Sequence, residues 1–339
     1  MSSTDERRGV SFRNLAWVAV SFIAVACAGA WVAYLHLIHY RRCAVEHLPA
    51  ETDFAARLDV EQVVLFDPVR RQLLPLIDRL PLAAQRETET AASAPDRLTR
   101  LRQVAGLNLG LDLREVLFAT SSDRRWVLVL GGLFPHALLP GLERTLQSEA
   151  AAGWLRVGDS LEFAATGAAL GQAADGTLIL ASDRAALEAA LPSSQRYRAL
   201  GLSREGAGGA RVSRAALAEW AAGSSTPWLD GVDSVGLSLR LAREIEIDAQ
   251  VETRDEHAAR ALTALVEHGP AVTTPLGDHD LRAGSLDPWG LLARAQSIEA
   301  SGTTVKFVSV WRQPELDRTA RELAAWLQRR LSAVTPSPS

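Results

Sequence analysis

The chain has 339 residues, 47% of them hydrophobic and 22% charged, enough for one large folded domain or two ordinary ones. A formal charge of −4, with arginines scattered rather than clustered and Lys306 as the only lysine, excludes a broad electrostatic footprint for nucleic acid. Two cysteines, Cys27 and Cys43, exclude a disulfide framework, so the folded part must be held by its own core.

The head, residues 1–13, carries Arg7, Arg8 and Arg13 and reads as cytoplasmic. Residues 14–40, Asn14 to Tyr40, contain no charged side chain. The apolar part, Leu15 to Ile38, exceeds the roughly 20 helical residues that cross a bilayer core. Trp17 lies near one end and Trp31, Tyr34 and Tyr40 near the other, the places where amphipathic rings prefer to sit. Arg41 and Arg42 follow, and the small excess of arginine before the span orients the main body outside the cytoplasm. A cleaved secretory signal, or a lipoprotein signal at Cys27, fits less well, because Ala28 to Ile38 stays apolar where the sequence should turn polar.

The first body segment, residues 48–200, opens with an entry strand at Phe54–Leu58 and a long helical region. A polar excursion, Ala83–Asp96, precedes strands around Val116–Thr120 and Trp126–Leu133 and a helix from Pro135. A further strand at Thr177–Ala181 runs into a Ser182–Asp183 cap and another helix. Residues 201–209, with the glycine-rich Gly206–Ala210, read as a linker.

The second segment, residues 210–332, repeats the order. An entry strand at Ala210–Ser213 leads to a helix at Arg214–Ala222. Val235, Leu237, Leu239 and Leu241 then alternate with polar residues, as do Ile245, Ile247, Ala249 and Val251, which predicts an antiparallel hairpin linked near Ala242–Arg243. From Asp255 the spacing becomes Ala258, Ala261, Leu262, Leu265 and Val266, an amphipathic helix. After the long connection His268–Pro288, a second hairpin turns at Gly302, and Leu316, Ala320, Leu323, Leu327 and Leu331 line a last helix. Residues 333–339 read as a disordered tail. The expected fold is α+β: a transmembrane helix, then two similar halves of strand-strand-helix units, with antiparallel sheets carrying helices on one face and an internal duplication behind the pattern.

Few strings suggest chemistry. Gly158-Asp159-Ser160-Leu161 resembles the nucleophile motif of GDSL-type esterases, yet the sequence holds no downstream Asp-x-x-His, and turn chemistry accounts for the same residues. Asp278-His279-Asp280 offers three adjacent ligands that cannot easily converge on one ion, and His257 and His268 merely frame a helix. No phosphate loop follows Gly206–Ala210. Catalytic, cofactor-binding and metal residues are therefore assigned to no position.

Leu48-Pro49-Ala50-Glu51-Thr52-Asp53 opens the body. In this motif, and in a pattern running to about Leu331, the chain resembles uncharacterised bacterial single-pass, membrane-anchored envelope proteins whose exported domain starts with an LPA(D/E)TD-like strand. The resemblance implies a topology and brings no activity and no catalytic residues. The expected function is a non-catalytic inner-membrane protein with a periplasmic interaction or scaffold module. Its partners would be the lipid bilayer through residues 14–40 and a protein or envelope polymer, with no nucleic acid and no cofactor. The alternatives are a ligand-binding or sensory ectodomain and, more distantly, a serine hydrolase.

Overall fold

The structure is a computed structural model and describes residues 42–73, 112–135, 138–148, 153–221, 231–268, 295–314, 316–318, 321 and 325. The uncharged run at residues 14–40 lies outside them, as do the excursion 83–96, most of the 268–288 connection and the tail. Among the described residues, no helix is long and apolar enough to cross a membrane.

The fold is α+β. Among the described residues, twelve strands form one antiparallel sheet in the order β11-β12-β10-β9-β8-β1-β2-β3-β7-β6-β5-β4. In chain order they are β1 (Phe54–Asp59), β2 (Leu113–Thr120), β3 (Trp126–Gly132), β4 (Trp154–Val157), β5 (Ser160–Phe163), β6 (Ala169–Gln172), β7 (Leu178–Ala181), β8 (Gly208–Ser213), β9 (Val232–Leu241), β10 (Ile245–Thr253), β11 (Ser297–Ser301) and β12 (Thr304–Trp311). The two entry strands meet at the centre, where Phe54 pairs with Val212 and Leu58 with Gly208. The expectation of separate sheets is corrected by that pairing.

The hairpin register follows the alternation. Leu241, Leu239, Leu237 and Val235 stand opposite Ile245, Ile247, Ala249 and Val251, which puts all eight on one face. The helices among the described residues are α1 (Val60–Leu65), α2 (Leu138–Ser148), α3 (Arg184–Ala190), α4 (Arg196–Leu200), α5 (Arg214–Ala221) and α6 (Glu256–His268). Carboxylates start three of them: Asp59, Asp183 and Asp255 each accept the backbone N–H three residues on, at 2.9, 2.8 and 2.8 Å. The long helical region expected after β1 is broken: α1 stops at Leu65, where Phe66 is extended just ahead of Asp67-Pro68. One π-helical turn, Val69–Leu73, follows.

Helices cover both faces, not one. Alpha-5 and α6 pack with Val212, Ala249, Val251, Val305 and Phe307, the face that also carries Phe54. Helix α2 lies on that same face further out, over Leu161 and Leu178. The opposite face carries Ala55, Leu117, Val129 and Ile179 and is covered by α3, α4 and a 3-10 turn at Ala44–His47. The cause is visible in composition. Strand β3, Trp-Val-Leu-Val-Leu, and β7, Leu-Ile-Leu-Ala, are apolar without alternation and need cover on both sides. Strand β10 alternates with Glu246, Asp248, Gln250 and Glu252 and needs it on one.

Residues 201–209, expected as a linker, are partly sheet. Gly208 and Gly209 belong to β8 and pair with both β1 and β9. Gly206 has φ +78°, and a Cβ there would lie 2.8 Å from the Leu239 carbonyl oxygen, so the glycine serves close backbone approach rather than flexibility.

Candidate functional site

The segment that follows the uncharged run is built into the body from Arg42 onward. Strand β1 alternates, so Ala55, Arg57 and Asp59 share the face that the 3-10 turn covers. There Arg57 Nε donates to Glu115 Oε1 of β2, and both side chains are almost fully buried. Arg57 Nη1 also donates to the Gly206 carbonyl at 3.2 Å, and its Nη2 lies 3.7 Å from Asp59 Oδ2. Arg42 Nη2 reaches the same Asp59 oxygen at 2.7 Å, and the Ala44 N–H donates to Glu115 Oε2 at 3.1 Å. Two arginines and two carboxylates thus balance, three of them buried and Arg42 partly open to solvent.

A second cluster lies beside it. His47, 2% exposed, has Nδ1 2.9 Å from the Ala190 carbonyl and Nε2 3.1 Å from Asp175 Oδ2. With acceptors at both nitrogens the contacts favour the imidazolium form. Burial alone would lower the His47 pKa, but the Asp175 hydrogen bond and charge and the Ala190 and Leu191 backbone bonds outweigh it and raise it above 6.5. Asp175 is likewise penalised by burial, yet hydrogen bonds from His47, the Thr177 N–H and the Cys43 thiol hold its carboxyl well below the usual range. Cys43 Sγ is also 3.4 Å from Thr177 Oγ1. Cysteine, histidine and aspartate therefore share one cluster, but Asp175 takes the bonds of both others. The imidazole keeps no lone pair to activate the thiol, so the arrangement is a clamp and not a base–nucleophile pair. Glu46 to Arg204, and Ser194 Oγ to the Leu48 carbonyl at 2.9 Å, complete the fastening.

The LPAETD stretch divides by role. Leu48 is core, and Thr52 Oγ1 donates to the Pro49 carbonyl at 2.8 Å, closing a turn. Asp53 is a clasp: its carboxylate accepts from the Ser122 N–H and the Ser213 hydroxyl, each at 2.8 Å, tying the β2–β3 turn to β8. Ala50 and Glu51 are exposed and form one wall of a crevice of about 230 Å³. The remaining walls are the ends of β2 and β3, with Thr120, Ser121, Arg125 and Trp126, and α3 with Ala186 and Ala189.

The residues flagged in the sequence lie elsewhere. Ser160 opens β5, and its hydroxyl donates to the Val157 carbonyl at 3.0 Å across a turn with Gly158 at φ +63°. His257 is exposed on the first turn of α6, and His268 ends that helix. Asp278, His279 and Asp280 lie outside the described residues. Among the described residues, no group of three or more histidine, cysteine or acidic side chains could hold a metal ion. The crevice and the His47 cluster both escaped sequence reasoning. Their members come from elements far apart in the chain, and only the LPAETD motif marked one wall.

No protein-family model matches the chain, and no curated protein matches it. Among solved structures, crystal form IV of TP0453 is similar with TM-score 0.44 and 10% identity, covering 88% of this chain and 99% of that one. Crystal form I of TP0453 has TM-score 0.40 and 9% identity, covering 85% of this chain and 99% of that one. A likeness at that level decides neither fold nor function.

Proposed function

We propose that the chain is a non-catalytic, single-pass envelope protein. Residues 14–40 anchor it in the inner membrane, and the α+β body outside the cytoplasm serves as an interaction or scaffold module for a protein or an envelope polymer. The observation that carries this reading is the fastening of Arg42, Cys43, Ala44, Glu46 and His47. The residues directly after the uncharged run belong to the body's buried core rather than to a free tether. The buried His47, Asp59 and Glu115 also support a non-catalytic role, since each is bonded to another part of the fold. We further infer an internal duplication. It is supported by the order of strands on either side of the centre, β1-β2-β3-β7-β6 and β8-β9-β10-β12-β11, in each of which the chain runs outward for three strands and then returns inward from the edge. A hairpin, β4–β5, is extra in the first half.

A ligand-binding ectodomain is the second reading, favoured by the crevice at the Pro49–Thr52 turn. The location is tested with a cysteine in the exposed β9–β10 turn, Arg243→Cys, and a membrane-impermeant maleimide on intact cells. Labelling of this variant before lysis, with the parent chain unlabelled because Cys43 is buried, is the expected result. Labelling only after lysis would place the body in the cytoplasm and overturn the reading.

A further inference from the structure

The crevice beside the Pro49–Thr52 turn is lined by two opposite charges, Glu51 and Arg125. Arg125 is held at its Nε, 3.1 Å from Asp123 Oδ2 and 3.5 Å from Asp183 Oδ2. Among the described residues neither Nη1 nor Nη2 makes a hydrogen bond, so two Arg125 donors stay available to a carboxylate although Asp123 and Asp183 already share its charge. Glu51 is exposed on the neighbouring wall and has no hydrogen bond or ion pair with any described residue. Between them the floor is small and apolar: Ala119, Val127, Ala186 and Ala189.

The turn that delivers Arg125 is strained. Arg124, just before it, has φ +64° and is the only non-glycine residue with positive φ among the described residues. Such strain persists where surrounding structure over-determines it, and it clusters at ligand sites. Here Ser121, Asp123 and Arg125 bond one another across the turn, with the Ser121 N–H on the Arg125 carbonyl at 3.0 Å.

Size and charge select the ligand. About 230 Å³ is below the roughly 300 Å³ at which pockets for drug-sized molecules begin, so one or two small residues fit and a nucleotide does not. With Asp123 and Asp183 beside Arg125 and with Glu51 on the rim, acidic groups outnumber the one guanidinium, which disfavours a bare anion such as phosphate. A molecule with its own ammonium meets the same rim without penalty. We propose that the crevice binds a short zwitterionic peptide with small apolar side chains, its carboxylate on Arg125, its ammonium on Glu51 and a methyl-sized side chain on the alanine floor. This goes beyond the envelope reading and stands or falls without it, because binding is measured on purified protein.

The experiment is calorimetric titration of the full chain in mild detergent with alanyl-alanine. Alanyl-alanine amide, N-acetyl-alanyl-alanine and inorganic phosphate are run beside it. For a ligand of so few atoms, a Kd on the order of 1 mM is expected. Removing the ligand's carboxylate, or Arg125→Gln, should weaken binding about tenfold or more, and acetylating the amine or Glu51→Gln should do the same. Ala189→Phe fills the floor from an exposed helix position and should abolish binding while leaving the unfolding transition in place. Equal binding of the dipeptide and its amide, phosphate binding as well as the dipeptide, or no dipeptide binding by the folded parent chain would each overturn the proposal.

Discussion

Replacing Glu115 by glutamine keeps the side-chain volume and removes the charge that faces Arg57. The guanidinium then stays buried, with Asp59 3.7 Å from Nη2 as its remaining anion, and Asp59 is already bound by Arg42 at 2.7 Å. Losing one partner of a buried pair costs about 3–5 kcal/mol, because the other charge is left without compensation. Two features pull in opposite directions here. The glutamine oxygen can still accept from Arg57 Nε, and Asp59 keeps part of the attraction, which favours the lower end. That same oxygen cannot also serve the Ala44 N–H now on Oε2, and a stranded buried donor costs about 1 kcal/mol or more. The expected loss is about 3–4 kcal/mol, a large share of the ~5–15 kcal/mol of an ordinary domain. Urea unfolding of the full chain in mild detergent, followed by circular dichroism, reads it as a lower midpoint at unchanged slope. The double variant Arg57→Met with Glu115→Leu removes both charges and should be more stable than Glu115→Gln alone, since no charge remains unpaired beneath the sheet. A Glu115→Gln protein within about 0.5 kcal/mol of the parent, or a double variant less stable than the single one, would refute this account of the pair.

The His47 clamp sets a pH dependence. Its folded pKa lies above 6.5, so the folded state binds more protons there, and its stabilisation is complete below 6.5 and lost as pH rises through the folded value. Asp175 is depressed below 3.8, so its contribution is present above that value and lost on acidification. Urea midpoints should therefore fall on either side of the pH 3.8–6.5 window, and His47→Gln should flatten the alkaline limb; an unchanged midpoint from pH 6 to 9 in the parent would contradict the geometry. The Cys43 thiol, 7% exposed, should react with an aromatic disulfide reagent on the order of 100-fold more slowly in native than in unfolded protein, measured in a Cys27→Ser background. Immediate stoichiometric reaction under native conditions would mean that the 42–48 segment is not held as described.

Much of the fold is legible as period. The β9–β10 register follows from the two alternating runs, because a one-residue slip would turn Leu237, Leu239, Ile247 and Ala249 to the wrong face. Helix α6 shows the limit of the same reasoning. Its period is correct, but the buried line runs through Ala259 and Leu262, while Ala261 and Leu265 of the expected stripe are exposed, since an alanine-rich helix offers several equivalent faces.

The two-sided cover of the first half was also written in the sequence. The unbroken apolar runs of β3 and β7 differ in kind from the alternation of β10, and only the second fits helices on a single face. What no period could supply is pairing at a distance. One face of β2 reads Glu115, Leu117, Ala119, so a carboxylate stands in line with two buried apolar residues, and a charge in such a place demands a partner. Arg57, in line with Ala55 and Asp59 on β1, makes the complementary demand. Each strand announces an unsettled charge, but the match needs the β1–β2 register, in which Asp59 stands opposite Glu115 and Arg57 opposite Leu117. His47 and Asp175 carry no such announcement, being 128 residues apart and outside any strand. The crevice is hidden for the same reason: its charges, Glu51 and Arg125, come from two turns brought side by side by the β1–β2 pairing and by the Asp53 bond to Ser122. In the LPAETD stretch the aspartate therefore ties neighbouring elements together, while the glutamate lines the crevice.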